Sequence, residues 1–140
     1  MVTSKLVAAC CVAVWLAVGA QPARAHHSYA MFDTTKTATV AGTVRQFEWK
    51  MPHAILWLNA KDDKGADVVW AFEFQGDGVN GLRRAGWAKD LIAAGEKITV
   101  TYAPLRDGRT GGLFRSLTRS NGDTWDPRGL VPEGGRKTTP

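Results

Sequence analysis

The sequence feature that most constrains the fold is an alternation of apolar and polar side chains that changes phase once. In KTATVAGTVRQFEW, residues 36–49, Val40 and Val44 share one face. The apolar positions then shift to the other face, at Phe47 and Trp49. A period of two residues is typical of a half-buried strand, and a change of face within it indicates a bulge or bend. We therefore predict a long, bent first strand.

Four further segments have the composition of strands, and turn residues separate them. They are residues 54–60 (AILWLNA), 68–74 (VVWAFEF), 98–102 (ITVTY) and 113–119 (LFRSLTR). The stretch between the third and fourth strands is richer in Ala, Leu and Arg. It predicts a short helix around residues 82–85, with a further turn near Leu91.

The predicted order is three strands, a short helix and two strands, which is the order of the five-stranded OB-fold, a small and partly open barrel. A plain five-stranded sandwich or open sheet is the alternative, and the bend in the first strand favours the barrel. We predict a mainly β protein with an OB-like barrel over residues 26–120. Residues 121–140 are rich in Gly, Pro and charge, which predicts a flexible C-terminal tail.

The first 25 residues have the three parts of a secretory signal peptide. Lys5 precedes the apolar run LVAACCVAVWLAVGA, residues 6–20, and QPARA follows it with small residues at Ala23 and Ala25. The run is shorter than the ~20 residues that a membrane-spanning helix needs, so an uncleaved anchor is the weaker alternative. We predict cleavage after Ala25 and a periplasmic or secreted protein without a stable membrane anchor.

Removal of this segment would also remove both cysteines, so the mature protein would have neither a disulfide nor a thiolate ligand. Its net charge would fall from +5 by the two positive charges of Lys5 and Arg24. A small positive charge of this kind does not form the basic surface stripe that nucleic-acid binding requires. Export also argues against nucleic acid as a partner.

Several motifs together resemble an uncharacterised family of short exported bacterial proteins, described as a domain of unknown function. They are HHSYAMFD, KTATVAGTVRQFEWKMPHA, NGLRRAGW and GEKITVTYAPLRDG, within residues 26–119. The resemblance implies a His-His-Ser mature N-terminus and a Trp-x-Asn-Pro-His loop after the first strand. This chain departs from it with Met51-Pro52-His53, which keeps the histidine and loses the asparagine. The resemblance implies export and a small β-domain, and no activity.

The three histidines of the chain predict a metal site, most plausibly for copper. Cleavage after Ala25 would give His26 a free α-amine, which together with its Nδ1 can chelate one metal ion. An imidazole from His53 or His27 would complete a nitrogen-rich, tetragonal set, which Cu(II) prefers. This set resembles the histidine brace of copper proteins. The alternative is that His26 and His27 belong to an ordinary polar terminus and that His53 caps a turn through a backbone hydrogen bond.

Four other residues are candidates for ligand binding at the barrel mouth. In an OB-fold, the connection between strands one and two and the connection between strands four and five flank that mouth. The first connection carries Trp49 and Met51, and Met51 offers a soft sulfur for Cu(I). The second carries Arg106 and Arg109, which could bind an anion or a sugar.

Three functional hypotheses follow, and the first is preferred. It is an exported binding module that holds copper or a small molecule. The second is an enzyme, with either a copper-dependent oxidative site at His26 and His53 or an acid/base site at His53 and Glu48. The third is a structural subunit that docks to an envelope protein.

Overall fold

The structure is a computed structural model that describes residues 29–76 and 78–133. The described part is mainly β, with these elements: a 3₁₀ turn Tyr29–Met31, β1 Ala38–Glu48, β2 Ile55–Lys61, β3 Asp67–Glu73, helix α1 Gly78–Arg84, β4 Lys97–Pro104, β5 Gly111–Arg119, β6 Thr124–Asp126 and β7 Gly129–Leu130. None of the helical segments in these residues has the length and apolar character needed to cross a membrane. The predicted signal peptide, residues 1–25, lies outside the described residues.

The first five strands close into a barrel. Their order is β3-β2-β1-β4-β5 with antiparallel neighbours, and a parallel pairing of β3 with β5 completes the circle. That closing pairing joins Ala71 to Gly111 and Glu73 to Leu113. Helix α1 lies between β3 and β4 in the chain. The predicted fold class, a five-stranded OB-like barrel with one short helix at this position, is confirmed.

The predicted bend in the first strand is a shift of register. The first half of β1 pairs with β4 and the second half pairs with β2, and the register changes between Val44 and Gln46. Arg45 is the additional residue at this point, so the side chains after it change face. The change of phase in the sequence therefore lets one strand serve both sides of the barrel.

The core fills the barrel with aliphatic and aromatic side chains. Phe74 and Phe114 stack with ring centroids 3.9 Å apart, and the Trp87 ring contacts both edge-on. Seven large side chains in the core are almost completely buried: Phe72, Phe74, Leu56, Leu58, Leu117, Val44 and Val100. This core fills the barrel, and the described residues contain no disulfide that would add to its stability.

The C-terminal part differs from the predicted tail in residues 121–133. Strand β6 pairs with the end of β5, and β7 pairs with β6 as a short hairpin. The ring of Trp125 packs edge-on against Trp87 at 5.5 Å, which attaches the hairpin to the core. Residues 134–140 lie outside the described residues, so the rest of the predicted tail stays a prediction.

Candidate functional site

A cavity of about 380 Å³ lies where the β2–β3 turn meets the connection between β4 and β5. We call it the end cavity. Its lining residues are Asp62, Asp63, Lys64, Trp70, Tyr102, Pro104, Leu105, Gly108, Arg109, Thr110 and Gly111. This volume is within the range of small-molecule sites in proteins, about 300–1,000 Å³.

The β2–β3 turn has a fixed shape because its first aspartate accepts hydrogen bonds from its own backbone. Oδ1 of Asp62 accepts from the backbone N–H of Lys64 and of Ala66, each at 2.9 Å. Gly65 has φ +81°, a conformation that glycine adopts without a steric penalty. The Lys64-Gly65 pair therefore supplies the turn that the sequence predicts, and it leaves the Asp63 and Lys64 side chains exposed at the cavity.

The opposite wall is the β4–β5 connection, which hydrogen bonds hold against β3. The hydroxyl of Thr110 donates to the carbonyl of Val69 at 3.0 Å. Arg109 bonds its neighbour Asp107, with Nε 2.7 Å from Oδ2, and this bond lowers the pKa of the Asp107 carboxyl. The wall is thus rigid in its backbone, while its charged side chains remain largely in solvent.

Two aromatic residues, Trp70 and Tyr102, form the apolar part of the cavity lining. Trp70 is 8% exposed and Tyr102 is 6% exposed, and the buried indole N–H of Trp70 has no hydrogen-bond partner among the described residues. Burial raises the pKa of Tyr102, and the negative charge of Asp63 raises it further. The phenol is therefore a neutral donor at neutral pH.

Of the predicted ligand-binding residues, the structure places Arg109 in the end cavity and Arg106 beside it. Nε of Arg106 donates to the carbonyl of Ala30, and its backbone N–H donates to Met31, each at 3.0 Å. Arg106 therefore fixes the segment that precedes β1 against the β4–β5 connection. Met31 itself is 45% exposed, so it does not fill the core.

The other predicted residues lie at the β1–β2 connection. Trp49 packs against the core and contacts the Phe47 ring edge-on at 5.5 Å, whereas Met51 is 65% exposed. The imidazole of His53 is mostly buried, and its Nδ1 lies 3.1 Å from the carbonyl of Phe74. This is the backbone hydrogen bond that the alternative interpretation of His53 anticipates.

The structure does not bring His53 and Arg109 together. His53 contacts the residues that end β3, whereas Thr110, the neighbour of Arg109, bonds Val69 near its start. Phe74 lies five positions after Val69 along extended chain, a distance of about 16 Å at ~3.3 Å per residue. The β4–β5 connection shares its cavity with the β2–β3 turn, not with the β1–β2 connection that carries His53.

Among the described residues, Glu73 has a carboxylate close to His53, with 3.8 Å between Oε1 and Nδ1. Glu48, the predicted acid/base partner of His53, instead binds Lys50 at 2.6 Å and the indole N–H of Trp57 at 3.1 Å. These two bonds lower the pKa of the Glu48 carboxyl. The carboxylate oxygens of Glu48 accept these bonds in the ionised form, so Glu48 is poorly suited to donate a proton.

A complete metal site is not formed by the described residues alone. No group of three or more His, Cys, Asp or Glu side chains within residues 29–76 and 78–133 is arranged to hold a metal ion. His26 and His27, the other predicted ligands, lie outside the described residues. The copper site therefore stays a prediction.

Trp70 and Tyr102 lie in two strands that the sequence predicts, but sequence reasoning did not find the cavity that they line. The alternation of β3 and β4 indicates which side chains point inward. It does not indicate that the β2–β3 turn and the β4–β5 connection would meet. That meeting follows from the parallel pairing of β3 with β5, which has no local signal in the sequence.

The described residues form a small OB-like barrel with a cavity at one end. A family model described as "Family of unknown function (DUF6152)" matches residues 13–115, so the chain belongs to this family. The match confirms the uncharacterised family that the motifs indicate, while the His-His-Ser start and the Asn-Pro-His loop stay predictions. Neither the curated proteins nor the solved structures contain a match to this chain.

Proposed function

We propose that the protein is an exported binding module whose end cavity holds a small organic molecule. The observation that carries this proposal is a cavity of about 380 Å³ whose lining includes two largely buried aromatic side chains, Trp70 and Tyr102, the second of which carries a phenol hydroxyl. Binding sites commonly combine an apolar lining with a few placed polar groups that fix the orientation of the ligand.

The lining indicates a ligand with an apolar body and a polar edge. Trp70, Tyr102 and Leu105 offer apolar surface, while the Tyr102 hydroxyl offers a hydrogen bond. Arg109 and Lys64 at the rim favour an acidic substituent, although Asp107 already holds part of the Arg109 guanidinium. We therefore expect a neutral or weakly acidic compound.

Amide chemical shifts can test this proposal with a panel of small aromatic acids, amino acids and sugars as probes. Binding in the end cavity moves the amide resonances of Lys64, Leu105 and Gly111 together. Tyr102→Phe weakens the response, and Tyr29→Phe, which alters an exposed tyrosine, leaves it unchanged. A panel without effect on these amides, or equal responses from both variants, contradicts the proposal.

Export is supported by the pattern of residues 1–25. The family match starts at residue 13, so it includes the second half of the apolar run as well as His26 and His27. The N-terminal mass of protein recovered from the periplasm tests both the location and the cleavage site. A chain that retains Met1 and stays in the cytoplasm contradicts this proposal.

Copper binding by His26, His27 and His53 is the second candidate, and the orientation of His53 favours it. Metal-ligating histidines generally donate one ring N–H to a backbone carbonyl or carboxylate and bind the metal through the other nitrogen. The contact of His53 Nδ1 with Phe74, next to Glu73, has this form. Binding at neutral pH would also displace a proton from the terminal amine, whose ordinary pKa is about 8.

A Cu(II) titration followed by electron paramagnetic resonance tests this candidate on protein that begins at His26. We expect a nitrogen-rich tetragonal signal that is lost in His53→Ala and in a variant with one additional residue before His26. A signal indifferent to both changes leaves only adventitious affinity. Turnover with a reductant and oxygen would distinguish a copper enzyme from a carrier, and an envelope subunit would show neither binding nor turnover.

A further inference from the structure

The outer face of strands β2 and β3 carries a tryptophan that the core does not use. Leu56 and Leu58 are buried in the barrel, so Trp57 between them points to the outside. Four other tryptophans in the described part of the chain belong to the core or pack against it: Trp49, Trp70, Trp87 and Trp125. Trp57 is half-buried and does neither. Its ring therefore needs an explanation other than the packing of the core.

Trp57 has apolar neighbours on the same outer face. Ala71 is its direct partner across β3. Ile55 lies two positions before Trp57 and Val69 lies two positions before Ala71, so all four point to the same side. Each is half-buried, and within the described residues none packs against the core. A contiguous apolar group on a surface is typical of an interaction site. We call these four residues, with the polar side chains that border them, the Trp57 face.

Planar polar side chains border the apolar group on three strands. Gln46 is the partner of Trp57 across β1, and Asn59 follows it by two positions on β2. Both are exposed. A carboxamide offers two N–H donors and an acceptor oxygen in one plane. Glu73, which is half-buried, adds a carboxylate at the end of β3. The face therefore combines one aromatic ring with hydrogen-bonding groups on several sides of it.

A hydrogen bond to β1 holds the indole of Trp57. Its Nε1–H donates to Oε2 of Glu48 at 3.1 Å. The other oxygen of that carboxylate, Oε1, lies 2.6 Å from the ammonium group of Lys50. A hydrogen bond to an ionised acceptor is stronger than one between neutral groups. The ring is therefore positioned before any ligand arrives, which reduces the entropy lost on binding.

The charges of the Trp57 face do not favour an anionic ligand. The ammonium group of Lys50 is next to Glu48, and that of Lys61 lies 2.7 Å from Asp67. Each lysine charge is thus balanced by a carboxylate, and Glu73 adds a further acidic group. A phosphate or carboxylate gains little attraction from such a surface, whereas an uncharged molecule meets no repulsion.

We propose that the Trp57 face binds a chain of neutral sugar rings. A sugar ring has C–H groups on its flat sides and hydroxyls around its rim. The C–H groups carry partial positive charge and are attracted to the negative face of an aromatic ring. One ring stacks on the Trp57 indole, and its hydroxyls bond to the carboxamides of Gln46 and Asn59. Glu48 is a positioning residue, because it acts through the indole. None of these residues lines the end cavity, so the two proposals are independent.

A nuclear magnetic resonance titration of the exported chain with four probes tests this inference. Two probes are neutral, cellohexaose and the hexamer of N-acetylglucosamine. The third is the hexamer of β-1,4-linked glucuronate, which differs from cellohexaose by a carboxylate in place of each primary alcohol. The fourth is a thymidine hexanucleotide. A neutral chain moves the indole resonance of Trp57 together with the side-chain amide resonances of Gln46 and Asn59. Both anionic chains bind at least about tenfold more weakly.

Matched variants locate the binding, with the Kd taken from backbone amides of β3. Trp57→Ala weakens binding of the neutral chain about tenfold, whereas Tyr29→Ala, at an exposed ring away from this face, does not. Asn59→Ala also weakens it, and Asn80→Ala, on helix α1, is its control. Glu48→Leu weakens it about fivefold, because the indole loses its acceptor. Glu48→Gln retains binding, since the amide oxygen still accepts the indole N–H.

The proposal is overturned if neither neutral chain moves the Trp57 resonance, or if Trp57→Ala binds as tightly as Tyr29→Ala. Tighter binding of either anionic chain overturns it too. A Trp57 resonance that moves with protein concentration alone assigns the face to a second copy of the chain, which is also a contradiction. Should Trp57→Ala not fold, equal affinities of Asn59→Ala and Asn80→Ala overturn the proposal, because both positions are exposed.

Discussion

The rings of Trp70 and Tyr102 meet edge-on, with centroids 5.8 Å apart and an interplanar angle of 68°. Trp70 is on β3 and Tyr102 is on β4, two strands that are not neighbours in the sheet. The contact therefore crosses the barrel interior and forms the apolar lining of the end cavity. It connects the core, which sets stability, to the cavity, which we propose as the binding site.

The Tyr102 phenol should titrate above its ordinary pKa of about 10. Burial is the larger cause and the charge of Asp63 is the smaller one, so Asp63→Asn lowers the pKa of Tyr102 only part of the way. The measurement is an ultraviolet pH titration in a Tyr29→Phe background, which leaves Tyr102 as the single tyrosine. An Asp63→Asn variant that restores the ordinary pKa completely would show that charge, not burial, dominates.

The raised pKa of Tyr102 also determines how the free energy of unfolding changes at alkaline pH. The unfolded chain loses the Tyr102 proton before the folded protein does. The stabilising contribution is therefore fully present below the unfolded pKa and is lost as pH rises through it towards the folded pKa. Denaturant unfolding between pH 8 and 11 should show a smaller loss of stability in Tyr102→Phe than in the unaltered protein.

Gly111→Ala should destabilise the barrel by roughly 2–4 kcal/mol. Gly111 has φ +129°, and a Cβ there would lie 2.2 Å from the carbonyl oxygen of Ala71, its partner in the closing β3–β5 pair. Gly108→Ala is the matched control in the same connection: it has φ +77° but open space around the site, so it should cost only about 1 kcal/mol. Chemical denaturation measures both, and equal losses would mean that closure tolerates the methyl group.

Trp70→Phe should cost less stability than Trp87→Phe, although both variants remove the same atoms from the core. Within the part of the chain that the structure describes, the indole N–H of Trp70 has no partner, whereas that of Trp87 donates to the carbonyl of Asp126. Replacing Trp87 removes a hydrogen bond, whereas replacing Trp70 removes a buried donor that makes none with the described residues. We expect a difference of about 1–3 kcal/mol between the two free energies of unfolding. The opposite order would mean that a solvent molecule pairs the Trp70 N–H.

Low pH should reduce the free energy of unfolding, and Glu48 should account for part of the reduction. Lys50 and Trp57 hold the pKa of this carboxyl below its usual range. Its contribution is present above the unfolded pKa, about 4.3, and is lost as pH falls through the lower folded pKa. Glu48→Gln should therefore flatten the fall in stability between pH 5 and 3 in denaturant titrations. Asp90→Asn, at an exposed carboxylate, is the control and should not change that slope.

The barrel was predictable because its strands and its bulge each leave a pattern in a short stretch of sequence. The phase change around Val44 indicated the bulge, and alternation located the strands to within a few residues. The β6–β7 hairpin was not predictable in the same way, because strands of three and two residues are too short to show alternation. The contact of Trp125 with Trp87 that attaches the hairpin depends on tertiary packing.

The candidate site was predictable only in part. Arg109 was identified from its loop, and His53 from its chemistry, yet nothing in the sequence shows that β3 separates them. The unpaired groups of Trp70 and Gln75 were also invisible, since hydrogen-bond satisfaction depends on which segments pack together. These features follow from tertiary pairing between segments that are distant in the chain.

The C-terminal hairpin has a protective consequence for the barrel. Only the first residues of β5 pair with β3, and β6 covers a later part, at Leu117 and Thr118. Without the hairpin, that backbone would present open hydrogen-bonding groups of the kind that recruit a strand from another molecule. A chain truncated after Ser120 should consequently self-associate. With the hairpin present, the last strand of the described sheet is the two-residue β7, which is too short to template such pairing.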